Sequence, residues 1–202
     1  GVYHRISQCG LQLPDVVVLT HNHGDHILGL PTLLLWARQA GRKISVIAPA
    51  AAAESVDKLL EAVSMRHLAE YAEMKTLEPG GEVAVGGTRI RSASAKHSVA
   101  AVHVRVEYAG KCVVYTGDSA PTDELVELAR GCDVLIHEVS ANPGYEEIAH
   151  SIGHSTTADA VEAARRAGVR ALLPIHFYTV PPILPPSAVN IVVPYPCAAL
   201  EI

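Results

Sequence analysis

The sequence has few of the features that would place the protein in a membrane or in a disulfide-rich scaffold. Its 202 residues include one Phe, one Trp and four Cys. The longest apolar run, residues 27–36, contains Pro31 and is about half as long as the roughly 20 residues of a membrane-spanning helix. No signal-peptide pattern opens the chain. We therefore expect no membrane span and a cytoplasmic location.

The four cysteines are far apart and include no C-x-x-C pair. Zinc knuckles and small disulfide scaffolds have closely spaced cysteines, and this chain lacks such spacing. We expect free thiols that pack as small apolar residues in a reducing compartment. The four are Cys9, Cys112, Cys132 and Cys197.

Positive charge is scarce as well, since 16 Lys and Arg stand against 21 Asp and Glu, and the net charge is −5. This balance argues against an extended basic surface for nucleic acid, but not against a local patch. Apolar residues make up 49% of the chain, which excludes intrinsic disorder. The length suits one large α/β domain.

Apolar runs alternate with amphipathic stretches, which is typical of an α/β protein. Residues 78–116 have a β pattern with a tight hairpin turn at Ala109-Gly110. Residues 181–196 hold six of the thirteen prolines, so they are predicted to be extended, as a surface crossover or a substrate-binding lip. The other predicted strands are 15–20, 44–48, 133–137 and 170–175. The predicted helices are 27–40, 51–64, 121–130 and 156–167.

Histidine is the residue in excess, with eleven copies, and the hexapeptide His21-Asn22-His23-Gly24-Asp25-His26 directly follows the first predicted strand. Two histidines two residues apart at a strand end project to the same side and reach one cation. Gly24 allows a tight turn, after which Asp25 and His26 can face a second cation. Imidazole nitrogens and carboxylate oxygens are ligands that zinc prefers. The motif predicts a metal site.

One hexapeptide has too few donor atoms for two metal ions. Three further candidates, His97, Asp118 and His176, each lie just beyond the end of a predicted strand. Ligand sites in layered α/β folds gather at such strand ends, where loops converge on a rigid scaffold. We therefore expect these three residues to complete the site.

The motifs THNHGDH, AKHS, YTGDS, LIHE, GHSTT and PIHF, in this order, resemble those of the metallo-β-lactamase superfamily. LIHE and GHSTT resemble its ribonuclease Z branch. The resemblance covers essentially the whole chain and implies an α/β fold, the four-layer αβ/βα sandwich, as a single domain over residues 1–202. Because the chain starts where the first helix of the family usually starts, we expect this domain to lack its first N-terminal strands.

The resemblance also implies two Zn²⁺ ions, with Mn²⁺ or Fe as alternatives, and a hydroxide that bridges them. Asp25 would orient this hydroxide and accept its proton. The implied ligands are His21, His23 and His97 on one ion, Asp25, His26 and His176 on the other, and Asp118 between both.

Two further residues match family positions that serve the leaving group. His154 is the predicted general acid, and Glu138 is the partner that orients it. The alternative for His154 is that it only helps to cap the helix that follows. His137 is predicted to be packed and hydrogen-bonded rather than a ligand.

The implied substrate is an anionic ester, first of all a phosphodiester. Arm-bearing tRNA-processing members carry a long basic insertion between the third His and the bridging Asp, but His97 and Asp118 are joined here only by a predicted hairpin. tRNA remains a candidate without that arm, and armless relatives hydrolyse small or cyclic phosphodiesters. Arylsulfatase-like and lactonase-like activities are alternatives, as is a non-catalytic metal- or RNA-binding module. The apolar helix after the hexapeptide indicates either a homodimer or complete burial.

Overall fold

Three parallel strands form the sheet of the first of two compact units, which comprises Gly1–Glu78 and Pro196–Ala199. The computed structural model describes residues 1–178 and 181–202. The sheet order follows the chain, and the central strand is buried along its whole length because parallel strands are covered on both faces. The strands are β1 (Val16–Val18), β2 (Ile44–Ala48) and β3 (Ala72–Thr76).

Helices connect these strands, as parallel pairing requires. The helix predicted at 27–40 is confirmed over residues 30–39, and a separate short helix at 24–27 precedes it. Between the two, Gly29 leaves room for Val2, whose Cγ1 would lie 2.5 Å from a Cβ at position 29. The predicted helix 51–64 is confirmed, although it ends two residues earlier and leaves Val63 exposed. The helices are α1 (Val2–Gln8), α2 (Gly24–Ile27), α3 (Leu30–Gln39), α4 (Ala50–Ala62) and a 3₁₀ helix, Arg66–Tyr71.

The apolar residues of α3 fill the core of the first unit. Leu30, Leu33 and Leu34 are buried there, and the half-buried Trp36 ring meets Tyr3 edge to face at 5.3 Å between centroids. Leu28, just before α3, remains exposed. Most of the apolar surface that the sequence shows in this segment is therefore buried within its own unit.

A six-stranded mixed sheet organises the second unit, which comprises Pro79–Tyr195 and Leu200–Ile202. The first four strands are antiparallel and the last three are parallel to one another. The predicted hairpin at Ala109-Gly110 is confirmed, and both turn residues have the positive φ that a tight hairpin needs. The strands are β4 (Glu82–Val85), β5 (Thr88–Ser94), β6 (Val102–Tyr108), β7 (Lys111–Tyr115), β8 (Val134–Glu138) and β9 (Ala171–Ile175).

Three helices belong to the second unit: α5 (Asp123–Ala129), α6 (Glu146–Ser151) and α7 (Thr157–Ala167). The sequence predicted α5 and α7 but not the short α6. Thr156 begins α7 with a capping box, because its hydroxyl accepts from the backbone N–H of Asp159 while the Asp159 carboxylate accepts from the Thr156 backbone. Buried residues of α5, α7 and the three parallel strands share one apolar core.

The prediction of four free thiols is wrong, because the structure pairs all four cysteines. Cys9 and Cys197 form a disulfide in the first unit, and Cys112 and Cys132 form one in the second. Sequence spacing missed both pairs, because tertiary packing brings together residues that are 188 and 20 positions apart. Cys112 is the second residue of β7, and Asp133 in the loop before β8 holds it. The Asp133 backbone N–H donates to the Cys112 carbonyl, and the Cys112 backbone N–H donates to the Asp133 carboxylate.

No helix in the described part of the chain is both long and apolar enough to cross a bilayer, as expected. The proline-rich segment 181–196 contains no helix or strand of its own. Near its end, the backbone pairs with β9, since Leu172 donates to the Asn190 carbonyl and accepts from Val192 N–H, both at 2.9 Å. The predicted extended tail is thus confirmed.

Candidate metal centre

In the first unit, the hexapeptide after β1 gathers its polar side chains as predicted. The His21 ring lies 4.8 Å from the His23 ring and 4.0 Å from the His26 ring, centroid to centroid. His26 Nε2 is 3.5 Å from an Asp25 carboxylate oxygen. Asn22 fixes the loop on α4 by donating to the Ser55 hydroxyl at 3.0 Å. The donor atoms of the motif therefore converge at the end of β1.

In the second unit, Asp118 and His176 lie beyond the ends of β7 and β9. Asp118 is buried, and one of its carboxylate oxygens is 3.6 Å from His176 Nε2. This separation suits two ligands that share one cation, because each would stand about 2.0–2.2 Å from a zinc ion. His176 has a left-handed backbone, with φ +60°, which is uncommon for residues other than Gly. Such a conformation at a site residue points to a functional constraint.

His97 follows β5, and its ring is held by the residue before the predicted general acid. Its Nδ1–H donates to the Gly153 carbonyl at 2.8 Å, an outer-shell bond that fixes the tautomer with the lone pair on Nε2, the form in which histidine ligates a metal ion. The donor atoms of His97 and Asp118 lie within 4.8 Å of each other. The second unit thus presents three predicted ligands in ligand-like geometry.

Gly153 is a position where a larger residue cannot fit without displacing a predicted ligand. It has φ +79°, and a Cβ there would lie 2.8 Å from His97 Cα and 2.9 Å from His97 Nδ1. Gly168 has a similar φ of +67°, but a Cβ at that position would meet nothing within 4 Å. Comparing substitutions at Gly153 and Gly168 therefore distinguishes the effect of backbone strain from the effect of displacing His97.

Gly153→Ala is expected to weaken zinc binding by about 10–100-fold, as the loss of a partner that orients a ligand does. Gly168→Ala has the same unfavourable φ, which costs about 1–2 kcal/mol of stability, and is expected to keep the affinity of the parent. Competition against a chromophoric chelator measures both affinities. Equal zinc affinity in the two variants would contradict this role for Gly153.

Glu138 and His154 form the predicted pair. Glu138 is buried at the end of β8, and one of its carboxylate oxygens is 3.0 Å from His154 Nδ1. The backbone N–H groups of Ser119, Ser140 and Ser155 also donate to this carboxylate at 3.0–3.2 Å. These bonds hold the Glu138 carboxylate in place. The carboxylate in turn orients the His154 ring so that Nδ1 faces Glu138 and Nε2 faces away from Glu138. Thr156 caps the next helix, which removes the need for His154 as a cap.

Ser140 is a site residue that the sequence analysis missed. Its hydroxyl donates to Glu138 at 2.8 Å and accepts from Nδ1 of His154 at 3.0 Å and of His176 at 3.2 Å. It therefore orients both the predicted acid and a predicted ligand. The signal available in the sequence was a hydroxyl residue two positions after Glu138, at the end of the same strand.

Two other histidines near these strands are packed and neutral. Burial lowers the pKa of His103 to about 4, and its ring bonds the Thr116 carbonyl at 2.8 Å and the Thr122 hydroxyl at 3.1 Å. Burial also lowers the pKa of His137, whose Nδ1 bonds the Glu138 carbonyl at 2.6 Å. The prediction that His137 is packed and not a ligand is consistent with this position.

The chemistry of these donors fits zinc. Within each unit they are imidazole nitrogens and carboxylate oxygens, which are borderline and hard ligands that zinc accepts. The Nδ1–H groups of His97 and His176 bond a carbonyl and a hydroxyl, an outer-shell arrangement that orients histidine ligands and sets their tautomer. The α/β fold and this donor set therefore indicate a metal-binding protein.

A family model described as a beta-lactamase superfamily domain matches residues 4–177, so the chain belongs to that superfamily and has the metallo-β-lactamase fold that its sequence predicted. A ribonuclease Z from Ignicoccus hospitalis is 32% identical over 212 aligned residues, which cover 80% of this chain and 70% of the relative. A ribonuclease Z from Methanopyrus kandleri is 31% identical, with 89% and 74% covered. Within the superfamily, the chain is therefore a metal-dependent hydrolase of the ribonuclease Z-like branch.

A solved structure supports the same fold. Human tRNase Z, short form, aligns with a TM-score of 0.77 at 21% identity, over 88% of this chain and 78% of that one. At this identity the likeness establishes the fold and not the substrate.

Proposed function

We propose that the protein is a binuclear zinc hydrolase that cleaves phosphodiesters in the manner of ribonuclease Z. In this proposal both units contribute to one functional domain, and Mn²⁺ or Fe are alternatives to zinc. The observation that carries it is the pairing of donors in each unit, above all Asp118 beside His176. The proposed ligands are His21, His23 and His97 for one ion, Asp25, His26 and His176 for the second, and Asp118 for both.

Charge supports an anionic substrate at this site. Two zinc ions carry more positive charge than the carboxylates of Asp25 and Asp118 carry negative charge, although the chain as a whole has a net charge of −5. A phosphodiester would therefore be attracted to this place despite the negative net charge. When bound, two zinc ions would supply an attacking hydroxide near pH 7 and offset the charge on the phosphoryl oxygens.

Residues of the chain would accept the proton of the nucleophile and donate a proton to the leaving oxygen. The exposed Asp25 carboxylate, which is 3.5 Å from His26, would orient the nucleophile and accept its proton. His154 would donate a proton from Nε2 to the leaving oxygen, because its Nδ1 is turned towards Glu138. Glu138 and Ser140 would hold the imidazole in this orientation.

The relatives named ribonuclease Z support RNA as the substrate class. A long basic arm between His97 and Asp118 is not part of the proposed recognition, because β6 and β7 occupy that segment. Affinity from phosphate contacts would therefore be weaker than in arm-bearing enzymes. We propose a phosphodiester in RNA or in a smaller nucleotide as the substrate.

Four parallel assays test this proposal: bis-p-nitrophenyl phosphate, a 2′,3′-cyclic nucleotide, p-nitrophenyl sulfate and a precursor tRNA. Each uses protein whose bound metal has been counted by elemental analysis. We expect hydrolysis of at least one phosphodiester, with about two equivalents of zinc bound, since two-metal sites use both ions. Turnover of the sulfate alone would favour an arylsulfatase, and no turnover with two zinc ions bound would favour a non-catalytic binding module. Either result overturns the proposal.

The cellular location of the protein and its association into a homodimer are also part of this proposal. The two disulfides weaken the expected cytoplasmic location, because disulfides are rare in most reducing cytosols. The expected location then rests on the proposed RNA substrate. A homodimer through the segment after the hexapeptide would use the exposed Leu28 side chain, because Leu30, Leu33 and Leu34 of α3 are buried and Leu35 is partly buried.

A further inference from the structure

An open apolar pocket of about 430 Å³ lies beside the predicted general acid in the second unit. Its walls include Ile148 of α6 and the residues that flank this helix, Tyr145 and Ile152. Ser140, His154 and Tyr178 also line it. The volume falls in the range of about 300–1,000 Å³ that is typical of small-ligand sites. The pocket therefore has the size of a subsite and adjoins the proposed reaction centre.

The outer wall is an apolar stripe. Tyr145 just before α6, Ile148 within it and Ile152 just after it are spaced by three and four residues, a spacing that favours one side of the helix axis. Their exposed fractions are 56%, 63% and 57%, although Ala149 of the same helix is buried. Exposed apolar side chains that line a concave pocket are typical of ligand sites.

The inner wall of the pocket includes the predicted general acid, His154, and Tyr178. The Tyr178 ring meets the His154 ring edge to face at 6.0 Å and the His176 ring at 5.0 Å, centroid to centroid. Tyr178 thus links the pocket to both the predicted acid and a predicted ligand. A group that occupies the pocket would therefore lie next to the His154 ring.

We propose that this pocket binds the base of the leaving nucleoside, an inference that rests on the proposed function. In the hydrolysis, a water oxygen bonds to phosphorus, the P–O bond to the leaving oxygen breaks, and a proton from His154 reaches that oxygen. The group attached to the leaving oxygen must therefore lie on the His154 side. None of the residues described as lining the pocket is Lys or Arg, so it suits a neutral planar group rather than a phosphate. Tyrosine rings stack on bases of any sequence.

The first test compares dinucleoside monophosphates that keep or lose one base. Zinc-loaded enzyme is given the adenine dinucleotide, the same compound with an abasic leaving nucleoside, and the same compound with the other nucleoside abasic. The product released without phosphate identifies the leaving side. We expect loss of the leaving base to lower kcat/KM by about 5–100-fold, the usual worth of one base–aromatic stack. Loss of the other base is expected to change it by less than this.

Variants assign the preference to the pocket. The preference is the ratio of kcat/KM with the leaving base to kcat/KM without it. Tyr145→Ala and Ile148→Ser are expected to bring this ratio close to one. Tyr108→Ala and Ile183→Ser are matched controls, because both side chains are similarly exposed but do not line the pocket. They should retain the preference of the parent. A preference that survives in the pocket variants would overturn the assignment.

A binding measurement without metal separates this inference from the proposed function. Calorimetric titration of metal-free protein with adenosine should show binding that ribose does not match and that Ile148→Ser weakens by about 5–100-fold. Hydrolysis without any base preference, or adenosine that binds no better than ribose, would overturn the pocket assignment alone. Failure of the zinc-loaded enzyme to hydrolyse any phosphodiester would overturn the proposed function, and the leaving nucleoside with it. A change in sedimentation of Ile148→Ser with unchanged preference would instead mark an interface between copies.

Discussion

Asp118→Ala is expected to lose bound zinc and to lower kcat/KM for a phosphodiester by at least about 10³-fold. Asp118 is the one proposed ligand shared by both ions, so its loss affects both metals at once. Two-metal charge stabilisation is worth several kcal/mol in the transition state, and about 4 kcal/mol corresponds to the expected factor. Elemental analysis of the purified variant and steady-state kinetics with bis-p-nitrophenyl phosphate measure the two effects.

The control for this variant removes a carboxylate elsewhere in the second unit. Asp123 is exposed at the start of α5 and pairs with Arg166, so Asp123→Ala changes net charge by the same amount and leaves the strand ends intact. It should retain the zinc content and most of the activity of the parent. Thermal melting of metal-free samples checks that Asp118→Ala remains folded. Full zinc occupancy in a folded Asp118→Ala would contradict its role as a shared ligand.

The predicted ligands of the second unit could be found because the parallel strands of its sheet end at one edge. Asp118 and His176 follow β7 and β9, and Glu138 is the last residue of β8, which lies between these two strands in the sheet. A strand pattern in the sequence with a polar residue at its carboxyl end is enough to expect this convergence. The hexapeptide was recognisable for a related reason, since its spacing alone brings His21 and His23 together.

Contacts between segments far apart in the chain could not be predicted, because they leave no comparable pattern in the sequence. Gly153 bonds His97 across 56 positions, and only the folded chain shows that a Cβ would collide there. Cys9 and Cys197 are separated by almost the whole chain, so their pairing depends on where the tail returns. β3 was missed because its sequence, AEMKT, has one β-branched residue and lies at a sheet edge with mostly polar side chains.

The site residues therefore fall into two groups: those that a local sequence pattern predicts and those that only tertiary contacts reveal. Side chains that touch the proposed ions lie at strand ends or in one short motif, where the sequence displays them. Groups that orient those side chains, such as Ser140 and Gly153, act through the fold. Substitutions of the orienting groups should consequently change affinity or rate by smaller factors than loss of a ligand.

His154→Ala is expected to slow turnover by about 10²–10⁴-fold while zinc content stays that of the parent, because general acid catalysis has this usual worth. The loss should be large for a nucleoside leaving group, whose alkoxide needs a proton. It should be small for p-nitrophenolate, which leaves without one. Comparison of the two substrates, with elemental analysis of each sample, separates proton donation from damage to the metal site.

His150→Ala is the matched control, since it removes a histidine four positions away that bonds Asp159 at 2.8 Å. It should leave the rates for both substrates near those of the parent. Glu138→Gln tests the orienting partner: the amide keeps a hydrogen-bonding oxygen but loses the negative charge that favours an imidazolium. Its loss should again fall mainly on the substrate with the poor leaving group. Equal losses on both substrates in His154→Ala would show that His154 positions the phosphate or the metal ligands instead of protonating the leaving oxygen.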